Sequence, residues 1–188
     1  MNVLFLDFDG VINTPVGIDE KGNLIDRYYG TFDKKVNNFV AVKLIERLCR
    51  ECDLKIVVQS RGWRNYIERN PDGSVRYRPY KEYLENSGMD SSLVEGHVPY
   101  IYNKGKGDEI DEYLRENQVD KFIVIDDNDN GDGNVGDLTL LRFKDELIVC
   151  DGDRGFTERE YKKALEILAK DRIYILKGKC QDDLEIEI

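Results

Sequence analysis

Val3-Leu4-Phe5-Leu6-Asp7-Phe8-Asp9-Gly10-Val11-Ile12 runs from apolar residues into two carboxylates and a glycine. Four apolar residues in a row, with no polar alternation, predict a strand buried on both faces, as central strands of a parallel sheet are. Asp7 and Asp9 follow two positions apart, so along an extended chain their side chains start on the same side of the ribbon. Two acids beside a core repel each other and resist ionisation unless a cation or a proton joins them. Gly10 lets the backbone turn sharply or approach a ligand closely. An isolated Asp-x-Asp-Gly is more often a strand that ends in a solvated turn, and features farther along the chain decide against that here.

Outward from this strand, residues 13 to 37 are broken by Pro15, Gly17, Gly22 and Gly30, and Asp19 to Asn23 reads as a hairpin tip. This predicts a small flap. Phe39, Val40, Val42, Leu44, Ile45 and Leu48 recur at helical spacing through Cys52. Lys55 to Gln59 reads as a strand ending at Ser60, and Pro79 to Asn86 as a helix stopped by Gly88. The pattern then predicts a short strand over Val98 to Tyr102, a helix to Glu116 and a buried strand over Lys121 to Ile125 that ends in Asp126-Asp127. Leu138 to Phe143 and Glu146 to Cys150 read as two more strands, and Thr157 to Glu160 is a capping box opening a helix to Lys170. An edge strand over Arg172 to Leu176 and an acidic tail over 181–188 close the chain. Alternating strands and helices predict an α/β domain over 1–180, a Rossmann-like three-layer sandwich with a mainly parallel central sheet. The flap at 13–37 and an insert at 61–98 are each too small for a full lid, so the cap is minimal.

The net charge of −10 over 188 residues opposes broad coating of nucleic acid. Residues 61 to 83 run against that charge. Arg61, Arg64, Arg69, Arg76, Arg78 and Lys81 are interleaved there with Trp63, Tyr66, Tyr77, Tyr80 and Tyr83. Basic groups among stacking aromatics suit a phosphorylated ligand, a nucleotide among them, although a solvated face with inward aromatics has the same composition. No apolar run approaches membrane-spanning length and the start lacks a signal-peptide pattern, which predicts a cytoplasmic protein that makes no membrane contact. Cys49 and Cys52 form a C-x-x-C, but Cys150, Cys180 and the lone His97 offer no obvious further zinc ligands.

Asp7, Asp9, Ser60, Asp126 and Asp127 all fall at the carboxyl ends of predicted strands, and Lys106 opens a helix. Open α/β sheets bind ligands at that edge, and carboxylates with a hydroxyl and an ammonium suit Mg²⁺ and a phosphate. In this order, Asp7-Phe8-Asp9-Gly10-Val11, Ser60, Lys106 and Asp126-Asp127 match the four motifs of the haloacid dehalogenase (HAD) superfamily, and the chain resembles its phosphatases over roughly residues 1 to 170. Lys106-Gly107-Asp108-Glu109-Ile110 and Asp153-Arg154-Gly155-Phe156-Thr157 resemble a bacterial and phage subgroup associated with RNA-repair proteins. Two details depart from a simple match. Ser60-Arg61-Gly62-Trp63-Arg64 carries an extra residue relative to the Ser-Ser-Trp-Arg of that subgroup, and Lys104 competes with Lys106 as the motif lysine.

The resemblance implies a Mg²⁺-dependent phosphatase acting on a phosphomonoester. Asp7 would be the nucleophile and Asp9 the acid and base, while Ser60 and Lys106 would hold the phosphoryl oxygens. Backbone amides near Phe8 and Gly10 would assist them, Arg61 and Arg64 would bind the rest of the substrate, and Asp7, Asp9, Asp126 and Asp127 would hold the metal. An open site fits a bulky substrate, a nucleic-acid end or a phosphoprotein, or a lid supplied by a partner chain. The basic, aromatic stretch from 61 to 83 tilts the expectation toward a nucleotide or a polynucleotide end, with sugar phosphates as an alternative.

Three rivals stand beside this reading. Asp126, Asn128, Asn130, Gly131 and Asp137 occupy EF-hand ligand positions, although a strand rather than a helix precedes them. A response-regulator-like module also clusters acids with a lysine, but its acceptor aspartate comes after the first strand. The last is a phosphate-binding or regulatory domain without turnover.

Overall fold

A computed structural model describes residues 1–19, 21, 23–26, 38–61, 67–69, 75–77, 80–128 and 136–169. Five parallel strands form the central sheet: β1 (Asn2–Leu6), β4 (Leu54–Val58), β7 (Val94–His97), β8 (Lys121–Asp126) and β9 (Leu147–Val149). Their order is β7-β4-β1-β8-β9, so the first strand lies in the middle, as its unbroken apolar run requires.

Alternate residues of each strand serve opposite faces. Leu4, Leu6, Ile56, Val58, Ile123 and Ile125 pack into one core with helices α1 (Phe39–Cys52) and α4 (Glu158–Leu168). Val3, Phe5, Val57, Phe122 and Val124 pack into a second core with α3 (Lys106–Glu116) and a 3₁₀ turn at Leu138–Phe143. Helices therefore cover both faces, giving three layers. Phe5 meets Tyr113 and Phe122 edge-on, with ring centroids 5.5 and 5.7 Å apart. Truncating such a fully buried ring to alanine costs about 3–5 kcal/mol.

Local signals set the helix ends. The Asn38 side chain accepts the Ala41 amide at the start of α1, and Asp53 ends it in the left-handed region at φ 51°. Thr157 and Glu160 form the expected capping box of α4. The predicted flap contains the hairpin β2 (Val16–Ile18) and β3 (Leu24–Asp26), where Asp19 accepts the amides of Lys21 and Asn23. A second hairpin, β5 (Ile67–Arg69) with β6 (Val75–Tyr77), and helix α2 (Tyr80–Asn86) follow β4.

Two expectations are corrected. The edge strand is Val94–His97, preceding Val98–Tyr102, so the segment read as an insert to residue 98 ends in the central sheet. Leu138–Phe143 is a 3₁₀ helix rather than a strand, because Asp137 caps it by accepting the Thr139 amide while Leu140 and Phe143 alone turn inward. The strand expected over Arg172–Leu176 and the acidic tail lie outside the described residues. Among the described residues, no helix is long and apolar enough to cross a membrane.

Candidate active site

Register creates the site. Leu6 pairs with Val58 on one side and Ile125 on the other, so the next residues, Asp7, Gln59 and Asp126, stand level at the ends of β1, β4 and β8. The same alternation that puts Leu6 and Ile125 against α1 and α4 turns Asp7 and Asp126 to the α3 layer. From there Lys106, the first residue of α3, places its Nζ 2.7 Å from Asp7 Oδ2 and 2.7 Å from Asp126 Oδ2. Lys106, and not Lys104, supplies the ammonium of this cluster. The Lys104 carbonyl instead accepts a hydrogen bond from Arg61.

Lys106 is held from outside its own helix. Its amide donates to Asp137 Oδ2, and the Gly107 amide donates to Thr139 Oγ1 at 2.8 Å. A Cβ at Gly105 would come within 2.2 Å of Thr139 Oγ1, and one at Gly107 within 2.2 Å of the Thr139 carbonyl. No local motif marks Asp137 or Thr139 as supporting Lys106, since the link is a tertiary contact. Asp137 is thus a helix and turn cap; positions 129–135 of the EF-hand pattern lie outside the described residues.

Asp7, Asp126 and Asp127 each offer a carboxylate oxygen, all within 4.8 Å of one another. Asp127 reaches this cluster by lying over Gly10, where a Cβ would sit 2.0 Å from Asp127 Oδ2. Gly10 (φ +72°) therefore admits a side chain as well as making the turn. Among the described residues, Asp7 and Asp126 share a single ammonium, that of Lys106. Burial, and next the charge of Asp7, push the Asp126 carboxyl above its ordinary 3.8, against the pull of Lys106 and the Asn128 amide. For Lys106, burial opposes the charged form but Asp7 and Asp126 outweigh it, raising the ammonium above 10.5. Hard carboxylate oxygens gathered in this way fit Mg²⁺.

Asp9 does not join this cluster. The chain leaves the strand at Asp7, and the Phe8 carbonyl accepts the amides of Val11, Ile12 and Asn13, so the Asp9 side chain is exposed and accepts from Asn13 Nδ2 at 3.2 Å. Asn13 in turn accepts from the Tyr83 hydroxyl. Phe8 faces the core and stacks on Tyr83 at 5.5 Å, and its amide donates to Asp7 Oδ1 at 2.9 Å. The Gly10 amide donates to the Asn13 carbonyl. Ser60 is buried at the end of β4, two residues past Val58, and its hydroxyl has no hydrogen bond among the described residues.

The family described as "HAD domain in Swiss Army Knife RNA repair proteins" matches residues 3–161. The chain belongs to this family. Membership makes it a HAD domain of the general hydrolase, phosphatase-type class, a superfamily that generally uses Mg²⁺. No curated protein and no solved structure matches the chain.

Within this HAD domain the basic, aromatic stretch is partly structural. Arg61 donates to both oxygens of Glu109, at 3.3 and 3.1 Å, and Glu109 is completely buried. Glu109 also accepts the Ile101 amide, so one carboxylate ties α3 to the loop before it and to Arg61. Tyr80 packs against the core and meets His97 edge-on at 5.5 Å; His97 Nδ1 bonds the Val98 carbonyl. Arg64 and Trp63 lie outside the described residues. A cavity of about 460 Å³ opens beside the carboxylates, lined by Arg61, Lys106, Asp126, Asn128, Asp137 and Thr139 among others. Cys49, Cys52 and Cys150 are free thiols.

Proposed function

We propose that this HAD domain hydrolyses a phosphomonoester in two steps through an aspartyl-phosphate. The observation that carries the reading is the meeting of Asp7, Asp126 and Asp127 with the Lys106 ammonium at the carboxyl edge of the sheet. In the first step an Asp7 carboxylate oxygen attacks phosphorus while Asp9 gives its proton to the departing alkoxide. In the second, Asp9 takes a proton from water as the water oxygen attacks phosphorus, which frees phosphate and regenerates the Asp7 carboxylate. Lys106 and Ser60 hold the phosphoryl oxygens throughout. Asp7, Asp126, Asp127 and the Asp9 carbonyl would hold Mg²⁺, which when bound offsets the repulsion between carboxylate and phosphate.

The substrate we infer is a nucleotide or a polynucleotide end. Two things support it: the RNA-repair proteins in which the matching family occurs, and the cavity beside Lys106. Arg61, clamped by Glu109, brings a fixed cation to that cavity. The location we infer for this activity is the cytoplasm, a reducing compartment in which Cys49, Cys52 and Cys150 would remain thiols.

The test is phosphate release with Mg²⁺ from an aryl phosphate, mononucleotides, phosphate-ended oligonucleotides, sugar phosphates and a phosphopeptide. The reading expects turnover by wild type, fastest on the nucleotide or oligonucleotide members, and none by Asp7→Asn. Equal inactivity of both proteins over the whole panel would leave a phosphate-binding domain instead.

A further inference from the structure

Gln59 spans the end of β1. β4 and β8 are not neighbours, because β1 lies between them, yet the Gln59 side chain crosses from one to the other. Its Nε2 donates to the Ile125 carbonyl at 3.2 Å and to Asp126 Oδ2 at 3.0 Å. Gln59 is completely buried, and its Oε1 is the one buried side-chain polar atom without a hydrogen-bond partner among the described residues. Such an orphaned acceptor costs about 1–3 kcal/mol.

The fold has no need of this amide for its own hydrogen bonds. The Ile125 carbonyl already accepts the Asp7 amide at 3.0 Å. Asp126 Oδ2 already accepts from Lys106, and Asp126 Oδ1 accepts the Asn128 amide at 2.7 Å. An apolar side chain of the same length would leave every one of these acceptors partnered and would remove the orphan. The amide does one thing such a side chain cannot: it gives Asp126 Oδ2 a second donor, 3.0 Å away, beside the Lys106 ammonium. A glutamine reaches Asp126 across β1, whereas an asparagine is one methylene shorter.

We propose that Gln59 is a positioning residue that holds the Asp126 carboxylate in the orientation required to bind Mg²⁺. The proposal rests on the reading of Asp126 as an Mg²⁺ ligand. Outer hydrogen bonds of this kind change metal affinity by roughly ten- to a hundredfold.

The experiment is thermal unfolding of the full chain in EDTA and across a Mg²⁺ titration, for wild type, Gln59→Met and Gln59→Asn, with phosphate release measured in parallel. In EDTA Gln59→Met should melt within about 4 °C of wild type, since a lost hydrogen bond and a lost orphan offset each other, whereas Gln59→Asn keeps a buried amide out of reach of its acceptors and should melt lower. The Mg²⁺ concentration giving the half-maximal shift should rise roughly ten- to a hundredfold in both. At saturating Mg²⁺ the substrate KM should stay at the wild-type value. A wild-type Mg²⁺ midpoint in the variants overturns the proposal alone. So does a large loss of stability in EDTA in Gln59→Met, because Gln59 would then be a brace for the fold. Absence of any Mg²⁺ shift in wild type overturns the metal site and the proposal together.

Discussion

Lys106 Nζ lies equidistant from Asp7 and Asp126, 2.7 Å from an oxygen of each, and is the only cation in contact with either among the described residues. It is delivered by a helix whose first amides are capped by Asp137 and Thr139, so the charge balance of the site depends on a segment more than thirty residues away. Removing it should expose how much the carboxylates repel. Lys106→Met leaves two buried acids without their shared partner, and breaking a buried pair in this way costs about 3–5 kcal/mol. Urea unfolding at neutral pH should show that loss, and added Mg²⁺ should restore part of it.

The pH dependence of the metal-free protein follows from Asp126. Its folded-state carboxyl is raised above 3.8, so the folded state binds more protons than the unfolded state between 3.8 and the raised value. Stability must therefore fall as pH rises through that window, and Mg²⁺ should flatten the fall because it replaces the proton. Lys106 has the opposite limit: raised above 10.5, it contributes stability below that value that is lost as pH rises through its folded-state value. Urea midpoints from pH 4 to 8, with EDTA and with Mg²⁺, read out the first effect.

Gly10→Ala tests the seat of Asp127. The added Cβ would lie 2.0 Å from Asp127 Oδ2, and φ +72° is strained for any side chain. The strain alone costs about 1–3 kcal/mol. The expected outcome is a lower urea midpoint together with a weaker Mg²⁺-induced thermal shift, since Asp127 must move out of the cluster. An unchanged Mg²⁺ response would show that Asp127 takes no part in holding the ion.

Much of this site was legible in the sequence because a parallel sheet converts strand ends into a shared edge. The apolar run Val3–Leu6 fixed the centre of the sheet, and Lys121–Ile125 fixed its neighbour, so Asp7 and Asp126 had to meet. Asp9 was legible as a residue but not as a location, because the turn that follows Phe8 removes it from strand alternation. Arg61 reads in the chain as a free cation, yet its partner Glu109 is 48 residues away on a buried helix face. Gln59 carries no local signal at all, since its task depends on two strands that are not adjacent. Leu138–Phe143 has the apolar content of a strand, but the Asp137 cap that winds it into a 3₁₀ turn is a tertiary as well as a local feature.

The thiols offer a check that does not depend on activity. Burial pushes Cys49 up to about 12 and raises Cys150 as well, so neither forms appreciable thiolate at pH 8. Iodoacetamide followed by peptide mapping should leave both unlabelled in the native protein and label both in urea. Rapid native labelling of Cys49 would mean that α1 does not pack as described.

Borohydride trapping determines whether Asp7 accepts the phosphoryl group. Wild-type protein turning over its best substrate with Mg²⁺ is quenched in acid, reduced and mapped by mass spectrometry. The expected product is homoserine at position 7, formed by reduction of the acyl-phosphate and missing when Mg²⁺ or substrate is left out. Steady turnover with Asp7 unmodified, or with the trapped group on Asp9, Asp126 or Asp127, would contradict Asp7 as the acceptor.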